Sequence, residues 1–359
     1  MISKMKYGVY IGRFQIPTVA HLENIEYALT QVDHLFVVIG TAYGPRDDAN
    51  PFLGHERREM LQRALSNRGN VKLYQVTFLL VDDYPINEDW ADNIKTVIHS
   101  QARYDEVYLV GMKKDESSFY LDMFPQWQSI ECEKRSYDNG PQVSRLVSST
   151  DLRRAWYEGR LNIFAGFLDP TTLKYVGEYG FDNPDLFNYF KQEHDFYVSH
   201  KKQLELIKSV YPYPIQYITA DAAVFHNDQL LLIQRGKSPG FNLWALVGGH
   251  VESHETVWEG MIRELREESG IDLTRHVIRD VDCFSIDNPR RSRRGRILTH
   301  VGVIIISDDE YIVVEAGDDA KNFLWVDEDT LDEMKHQMFE DHYHLAKTAF
   351  AKKEGLENG

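Results

Sequence analysis

The chain has 359 residues, 43% of them hydrophobic and 27% charged. At about 100–200 residues per domain, that length fits two domains with ordinary globular cores. Its 40 basic and 56 acidic residues leave a net charge of −16, which argues against a nucleic-acid-coating surface. Phosphate substrates remain open to it, because a few local Arg, Lys and divalent cations outweigh a global field. The first half alternates apolar runs with helical segments. "YGVYIG", "HLFVVIG", "VKLYQVTFLLV" and "EVYLVG" predict buried strands, and "AHLENIEYALTQ", "HERREMLQRALS" and "DWADNIKTVIHSQ" predict helices between them. That alternation predicts a parallel sheet with helices on both faces. Three of the strands end in glycine, at Gly12, Gly40 and Gly111. Ligands of such sheets bind beyond the carboxyl ends of the strands.

Gly12, Arg13 and Phe14 follow the first strand, and His21 stands seven residues after Phe14 at the start of an amphipathic segment. A glycine turn leading to a helix-start histidine suggests a phosphate site, although neither GxGxxG nor GxxxxGK[ST] is present. In "LVSSTDLRRAW", Ser148, Ser149 and Thr150 open a helical pattern, with Arg153 one turn in. Small hydroxyl residues cap a helix, whose N-terminus favours an anion; an ordinary cap is the other reading. Residues 165–210 lose the strand alternation and read as helical pieces. We take 1–180 as the first domain, 181–210 as a helical connector and 211–350 as the second domain. There "YITADAAVF", "QLLLIQR", "THVGVIIIS" and "FLWVDE" predict strands around one strong helix.

That helix runs from about Thr256 to Ser269 and stops at Gly270, a residue suited to a left-handed cap. Glu264, Glu267 and Glu268 fall within an arc of roughly 100°, beside an apolar stripe of Val257, Met261 and Leu265. Clustered carboxylates repel, and a hard divalent cation relieves the repulsion. The alternative is a solvated acidic helix. The segment from Gly249 through Glu255 and Arg263 to Ile271 resembles the Nudix box, GX5EX7REUXEEXGU with U aliphatic, and fills every fixed position. Val247 stands where many members have proline. The resemblance implies an α/β/α sandwich and Mg²⁺ (or Mn²⁺) bound by Glu264, Glu267, Glu268 and the Gly248 carbonyl. Arg263 would support the carboxylates through Glu267 or Glu255. "DNPRRSRRGRILTH" and "QRGKSPGFNLWALVGGH" resemble the ADP-ribose-hydrolysing branch, which implies substrate contacts for Arg235, Arg293, Arg294 and Arg296 and a base stack for Trp244. A solvated cationic loop and a core tryptophan are the other readings. Asp318 and Asp319 are candidate general bases, with an ordinary turn as the other reading.

The two motifs of the first half together resemble the nucleotidylyltransferase superfamily, with its [HT]xGH and ISSTxxR-type signatures. Thr18 stands for the first histidine and Ala20 for the glycine. The resemblance implies an ATP site of Gly12, Arg13, Phe14, Thr18, His21, Ser148, Ser149, Thr150 and Arg153, with His21 on the α-phosphate and Arg153 beside it in catalysis. "GTAYGPRDDANPFLGHERREML" and "INEDWADNI" resemble the nicotinamide-nucleotide adenylyltransferases. That branch implies contacts to nicotinamide mononucleotide from Gly40, Thr41, Asn50 and Arg57, and a ring stack on Trp90. A core role for Trp90 is the alternative. Lys113, Lys114 and Asp115 would lie near the phosphates.

The pairing resembles the bifunctional adenylyltransferase/Nudix proteins of bacterial NAD metabolism. It implies ATP, nicotinamide mononucleotide, NAD⁺ and ADP-ribose as ligands, and Glu264 and Glu267 as catalytic carboxylates. Acceptance of nicotinate mononucleotide or pantetheine phosphate is an alternative for the first domain. Another nucleoside diphosphate substrate, or ligand sensing, is one for the second. Two distant cysteines, Cys132 and Cys283, argue for a reducing cytoplasm. The lack of an apolar leader or an 18-residue apolar run argues against secretion and membranes. A homo-oligomer is compatible with all of this.

Overall fold

The computed structural model describes residues 4–84, 87–102, 106–111, 116–132, 147–211, 213–315, 317 and 320–358. Lys113, Lys114, Asp115, Asp318 and Asp319 lie outside them. The chain forms two compact units, Met1–Lys191 and Gln192–Gly359.

In the first unit, β1 (Lys6–Gly12), β2 (His34–Ile39), β3 (Val76–Leu80), β4 (Glu106–Gly111) and β5 (Gln128–Glu131) form one sheet in the order β3-β2-β1-β4-β5. Every neighbouring pair is parallel. Side chains alternate across the strands, so each face buries its own cluster. Tyr10, Leu35, Val37 and Ile39 pack on α1 (Val19–Ala28) and α2 (Gly54–Arg68). Val9, Ile11, Phe36 and Val38 pack on α3 (Asn87–Gln101). The third predicted strand begins only at Val76, and Leu73–Gln75 forms a 3-10 turn. Val76 already pairs with Leu35 beside the start of β2, so earlier residues meet no partner strand. Strand order reverses between β1 and β4, which places the ligand crevice at the carboxyl end of β1.

Helices α4 (Ser149–Tyr157), α5 (Pro170–Asp182) and α6 (Pro184–Val210) follow. Leu152, Trp156, Phe167, Val176 and Phe190 bury against Ile16 and Phe52. The passage from one unit to the other falls within α6.

The second unit holds β6 (Gln216–His226), β7 (Gln229–Arg235), β8 (Trp244–Ala245), β9 (Val247–His250), β10 (Ile278–Ile286), β11 (Arg296–Ile306) and β12 (Ala320–Val326). The sheet is mixed: β6 runs parallel to β11 and antiparallel to β7 and β9. Asn227 and Asp228, at φ 48° and 60°, make the two-residue hairpin turn between β6 and β7. Ala220, Ala222 and Val224 face α7 (Val257–Ser269) through Met261 and Leu265. Ala223 and Phe225 face α9 (His342–Asn358) through Leu345, Ala349 and Phe350. This is the expected α/β/α sandwich. Among the described residues, no helix is long and apolar enough to cross a membrane.

Candidate active sites

In the first unit, the loop after β1 carries the first motif. Phe14 and Ile16 sit at φ 51° and 24°, a region that sterics deny to most side chains. Both are buried. A Cβ on Gly12 would stand 2.9 Å from Cζ of Phe14, so glycine is what lets that ring fold back. The ring then meets His21 edge-on, with centroids 5.1 Å apart. Thr18 caps α1, and its backbone N–H donates to Nδ1 of His21 at 2.9 Å. Nδ1 is therefore the acceptor and the imidazole proton sits on Nε2. Arg13 is exposed.

Arg57 is wholly buried and spans two loops. It donates to the carbonyls of Arg13 (2.5 Å), Gly40 (2.8 Å), Thr41 (2.8 Å) and Leu53 (3.3 Å). Arg153 donates to the Gln15 carbonyl at 2.7 Å and to Oγ1 of Thr150 at 3.1 Å. Burial pulls both guanidinium groups down to about 10, still far above neutrality. Both remain cationic, with neutral hydrogen-bond acceptors.

Ser148 caps α4 in a reciprocal pair with Asp151. Oγ of Ser149 donates to the Ile16 carbonyl at 2.9 Å, which joins the late motif to the early one. The buried Oδ1 of Asn50 has no hydrogen-bond partner among the described residues. Trp90 is half-buried against Tyr120 and Phe124, and the Tyr120 hydroxyl reaches the Ile11 carbonyl at 3.4 Å. Sequence reading passed over Gln15, whose amide brackets both backbone groups of Phe52 at 2.8 and 3.1 Å. It also passed over Tyr157, which donates to the Asp48 carbonyl at 2.8 Å. Neither has a local signal, because both partners lie more than 30 residues away.

In the second unit, β9 carries two glycines against β6 and α7. A Cβ on Gly248 would stand 2.4 Å from the Ala220 carbonyl oxygen, and one on Gly249 would stand 2.4 Å from Oε1 of Glu264. Helix α7 starts at Thr256 in a capping box with Glu259 and ends at Gly270, φ 72°. Met261 and Leu265 fix its roll, which buries Glu268 and leaves Glu267 exposed. Glu268 accepts the Gly248 N–H at 3.0 Å, and burial pushes it up to about 8. Burial also raises Glu264, with Glu267 and Glu255 adding like-charge repulsion.

Arg263 binds Glu255 (2.7 Å), Glu264 (2.7 Å) and Glu267 (3.0 Å) and the His250 carbonyl (3.0 Å). It holds Glu255 down to about 2. Among the described residues, no three His, Cys, Asp or Glu side chains converge at ligand spacing; Arg263 gathers Glu264 and Glu267 instead. The donor set still fits a hard divalent cation. It offers carboxylate oxygens crowded at a glycine cradle that a Cβ would fill. Asp221, another residue that sequence reading passed over, is buried on β6 and accepts from Thr299. Burial pushes it up to about 6.

The arginines of the cationic segment each have a protein partner. Arg291 makes a two-pronged pair with Asp341, both bonds at 2.9 Å. Arg294 binds Glu340 at 3.0 Å, Arg296 pairs with Asp287, and Arg293 lies 3.8 Å over the Tyr197 ring. Arg235 donates to the Pro239 carbonyl and lies 4.2 Å over the Phe339 ring. Arg294 approaches the same ring at 5.3 Å. Trp244 is half-buried against the core, and its carbonyl accepts the Phe339 N–H at 2.8 Å.

Comparison with known proteins matches both units. A family model described as cytidylyltransferase-like matches residues 9–155, and one described as NUDIX domain matches 216–348. A nicotinamide/nicotinic acid mononucleotide adenylyltransferase of Acinetobacter baylyi is 34% identical over 160 residues, 44% of this chain and 79% of that protein. A nicotinamide-nucleotide adenylyltransferase of Thermococcus onnurineus is 33% identical over 158 residues, 43% of this chain and 74% of its own. The crystal structure of a bifunctional NMN adenylyltransferase/ADP ribose pyrophosphatase from Francisella tularensis, complexed with AMP and a Mn ion, superposes with a TM-score of 0.82. It is 28% identical, with 97% of this chain and 99% of that chain covered. The chain therefore belongs to the nicotinamide-nucleotide adenylyltransferase family and carries a NUDIX domain after its adenylyltransferase unit.

Proposed function

We propose that the protein is a bifunctional enzyme of NAD metabolism. Its first unit transfers the adenylyl group of ATP to nicotinamide mononucleotide, and its second hydrolyses ADP-ribose to AMP and ribose 5-phosphate. The observation that carries this reading is the match of 97% of the chain, both units included, to one enzyme with that pair of activities.

In the first reaction an oxygen of the mononucleotide 5′-phosphate attacks the α-phosphorus of ATP, the bond to the β-phosphate oxygen breaks, and pyrophosphate leaves. Both reactants bring their own reactive groups, so the protein contributes positioning and charge. His21, with its proton on Nε2, donates to the α-phosphate. Arg13 and the enclosed charge of Arg153 offset the negative charge of the triphosphate, and Arg57 supplies its charge on the acceptor side. Gly12, Phe14, Thr18, Ser148, Ser149 and Thr150 shape the ATP side. Gly40, Thr41, Asn50 and Trp90 shape the acceptor side, where an aromatic ring suits a pyridinium.

In the second unit, Glu264, Glu267, Glu268 and the Gly248 carbonyl would hold Mg²⁺ or Mn²⁺. Bound there, the cation neutralises the diphosphate and lowers the pKa of water. Arg263 holds Glu264 and Glu267 in place through its ion pairs. Arg235, Arg294 and Arg296, with Trp244, line the substrate side.

The test is to assay both half-reactions on the full chain. His21→Ala is expected to abolish NAD⁺ formation and spare AMP release from ADP-ribose, and Glu267→Gln to do the reverse. Survival of both activities in both variants would overturn the assignments. The ratio of kcat/KM for nicotinamide and nicotinate mononucleotides decides which acceptor is preferred.

A further inference from the structure

Ser149, Arg153 and Tyr157 lie four residues apart on α4 and so share one face of it. Each donates to a backbone carbonyl outside the helix: Ser149 to Ile16 at 2.9 Å, Arg153 to Gln15 at 2.7 Å and Tyr157 to Asp48 at 2.8 Å. The first two carbonyls belong to the loop after β1, which leads into His21. The third belongs to the loop after β2, between Gly40 and Leu53. Gln15 extends the tie, because its side chain brackets the backbone N–H and carbonyl of Phe52 in the second loop. One helix face therefore ties together, beyond their strands, the two loops that leave the paired ends of β1 and β2.

The tied segments are not relaxed. Phe14 and Ile16 flank Gln15 at positive φ, and Thr41 opens the second loop at φ 50°. Such conformations persist only where the surroundings over-determine them, and they gather where a site must be pre-organised. Packing alone does not require the Tyr157 hydroxyl. Tyr157 is 3% exposed, and its ring packs against Trp156 and Phe187, contacts that phenylalanine also makes.

We propose that this face of α4 is a rail that sets the distance between the ATP loop and the acceptor loop. Tyr157 and Gln15 are then positioning residues for adenylyl transfer. The inference rests on the adenylyltransferase reading above. Tyr157 donates to Asp48 on the acceptor loop, whereas Gln15 joins both loops. Loss of the hydroxyl should therefore loosen the mononucleotide and leave ATP in place, and loss of the amide should disturb the line between the two.

The test is steady-state kinetics of full-length Tyr157→Phe and Gln15→Leu with each substrate varied. For Tyr157→Phe the expected result is a KM for nicotinamide mononucleotide raised about tenfold with the KM for ATP within about twofold. For Gln15→Leu it is kcat lowered about tenfold or more. The unchanged ATP term reports that the first unit is folded. The inference is overturned if Tyr157→Phe keeps both KM values and kcat within twofold of wild type. It is equally overturned if both KM values rise together with a lowered Tm, the mark of a merely structural hydroxyl. If the wild-type chain forms no NAD⁺, the adenylyltransferase reading itself has failed.

Discussion

Arg57 and Arg153 of the first unit are held in the opposite way to Arg263, Arg291 and Arg294 of the second. In the first, Arg57 and Arg153 are enclosed and their hydrogen bonds end on carbonyls and a hydroxyl, all neutral. Their positive charge is left in place beside the loops after β1 and β2, where it favours an anion. In the second, Arg263, Arg291 and Arg294 each meet carboxylates. Arg263 alone serves three, and Glu268 lies beside them, so the local balance is negative and favours a cation. The pKa directions follow the same division: burial lowers Arg57 and Arg153, whereas paired carboxylates raise Arg263 and Arg291. Residue type therefore says little about the charge of a site; the partner decides it.

The largest loss is expected from removing an enclosed charge from the first unit. Arg153→Met keeps the bulk and loses the cation, and NAD⁺ formation should fall by about 10²–10³-fold, with ADP-ribose hydrolysis unchanged. Retention of the full wild-type rate would mean that the enclosed charge contributes nothing. The mirror experiment is Arg263→Met. Three carboxylates then lose their shared cation, and hydrolysis should fall roughly 10–100-fold, with weaker Mn²⁺ affinity. Titration of the variant with Mn²⁺ measures the second effect, and unaltered NAD⁺ formation is the control.

A smaller effect tests the arginine-rich side of the second unit by pH. His342 is buried, its Nδ1 accepts the Leu246 N–H at 3.1 Å, and burial with Arg291, Arg235 and Arg294 nearby holds its pKa well below the ordinary value. The folded chain thus keeps His342 neutral where the unfolded chain protonates it. Its contribution is complete above about pH 6.5 and is lost as pH falls toward the folded pKa, with a slope approaching about 1.4 kcal/mol per pH unit. Urea midpoints for loss of hydrolysis, taken between pH 7.5 and 5, should show that slope in the wild type. His342→Asn should flatten it.

Much of this was legible in the sequence. The Nudix helix ends at Gly270 because a left-handed cap is a local property of one residue, and local rules reach it. Glu264, Glu267 and Glu268 share a helix side for the same reason, although only the docking of Met261 and Leu265 on the sheet determines that Glu268 is buried and Glu267 is not. Strands β8 and β9 escaped notice because four glycine-rich residues carry no alternation and exist as strands only through β6 and β7. Helix α9 escaped because its polar residues interrupt the apolar stripe that Leu345, Ala349 and Phe350 present to the sheet. Arg57 was legible as a site residue by resemblance, yet its four carbonyl partners depend on loops brought together by the fold.

The smallest effect concerns Thr18, the N-cap of α1. Its hydroxyl caps α1 and lies 3.1 Å from Nδ1 of His21, yet the bond that sets the tautomer comes from the Thr18 backbone N–H. Thr18→Val keeps that N–H and the branched shape, and loses the cap. Stability should fall by about 1 kcal/mol, read from thermal unfolding, while His21 stays aimed by the main chain and kcat/KM falls only a few-fold. A loss as large as that of His21→Ala would mean that the hydroxyl, not the backbone, orients the ring.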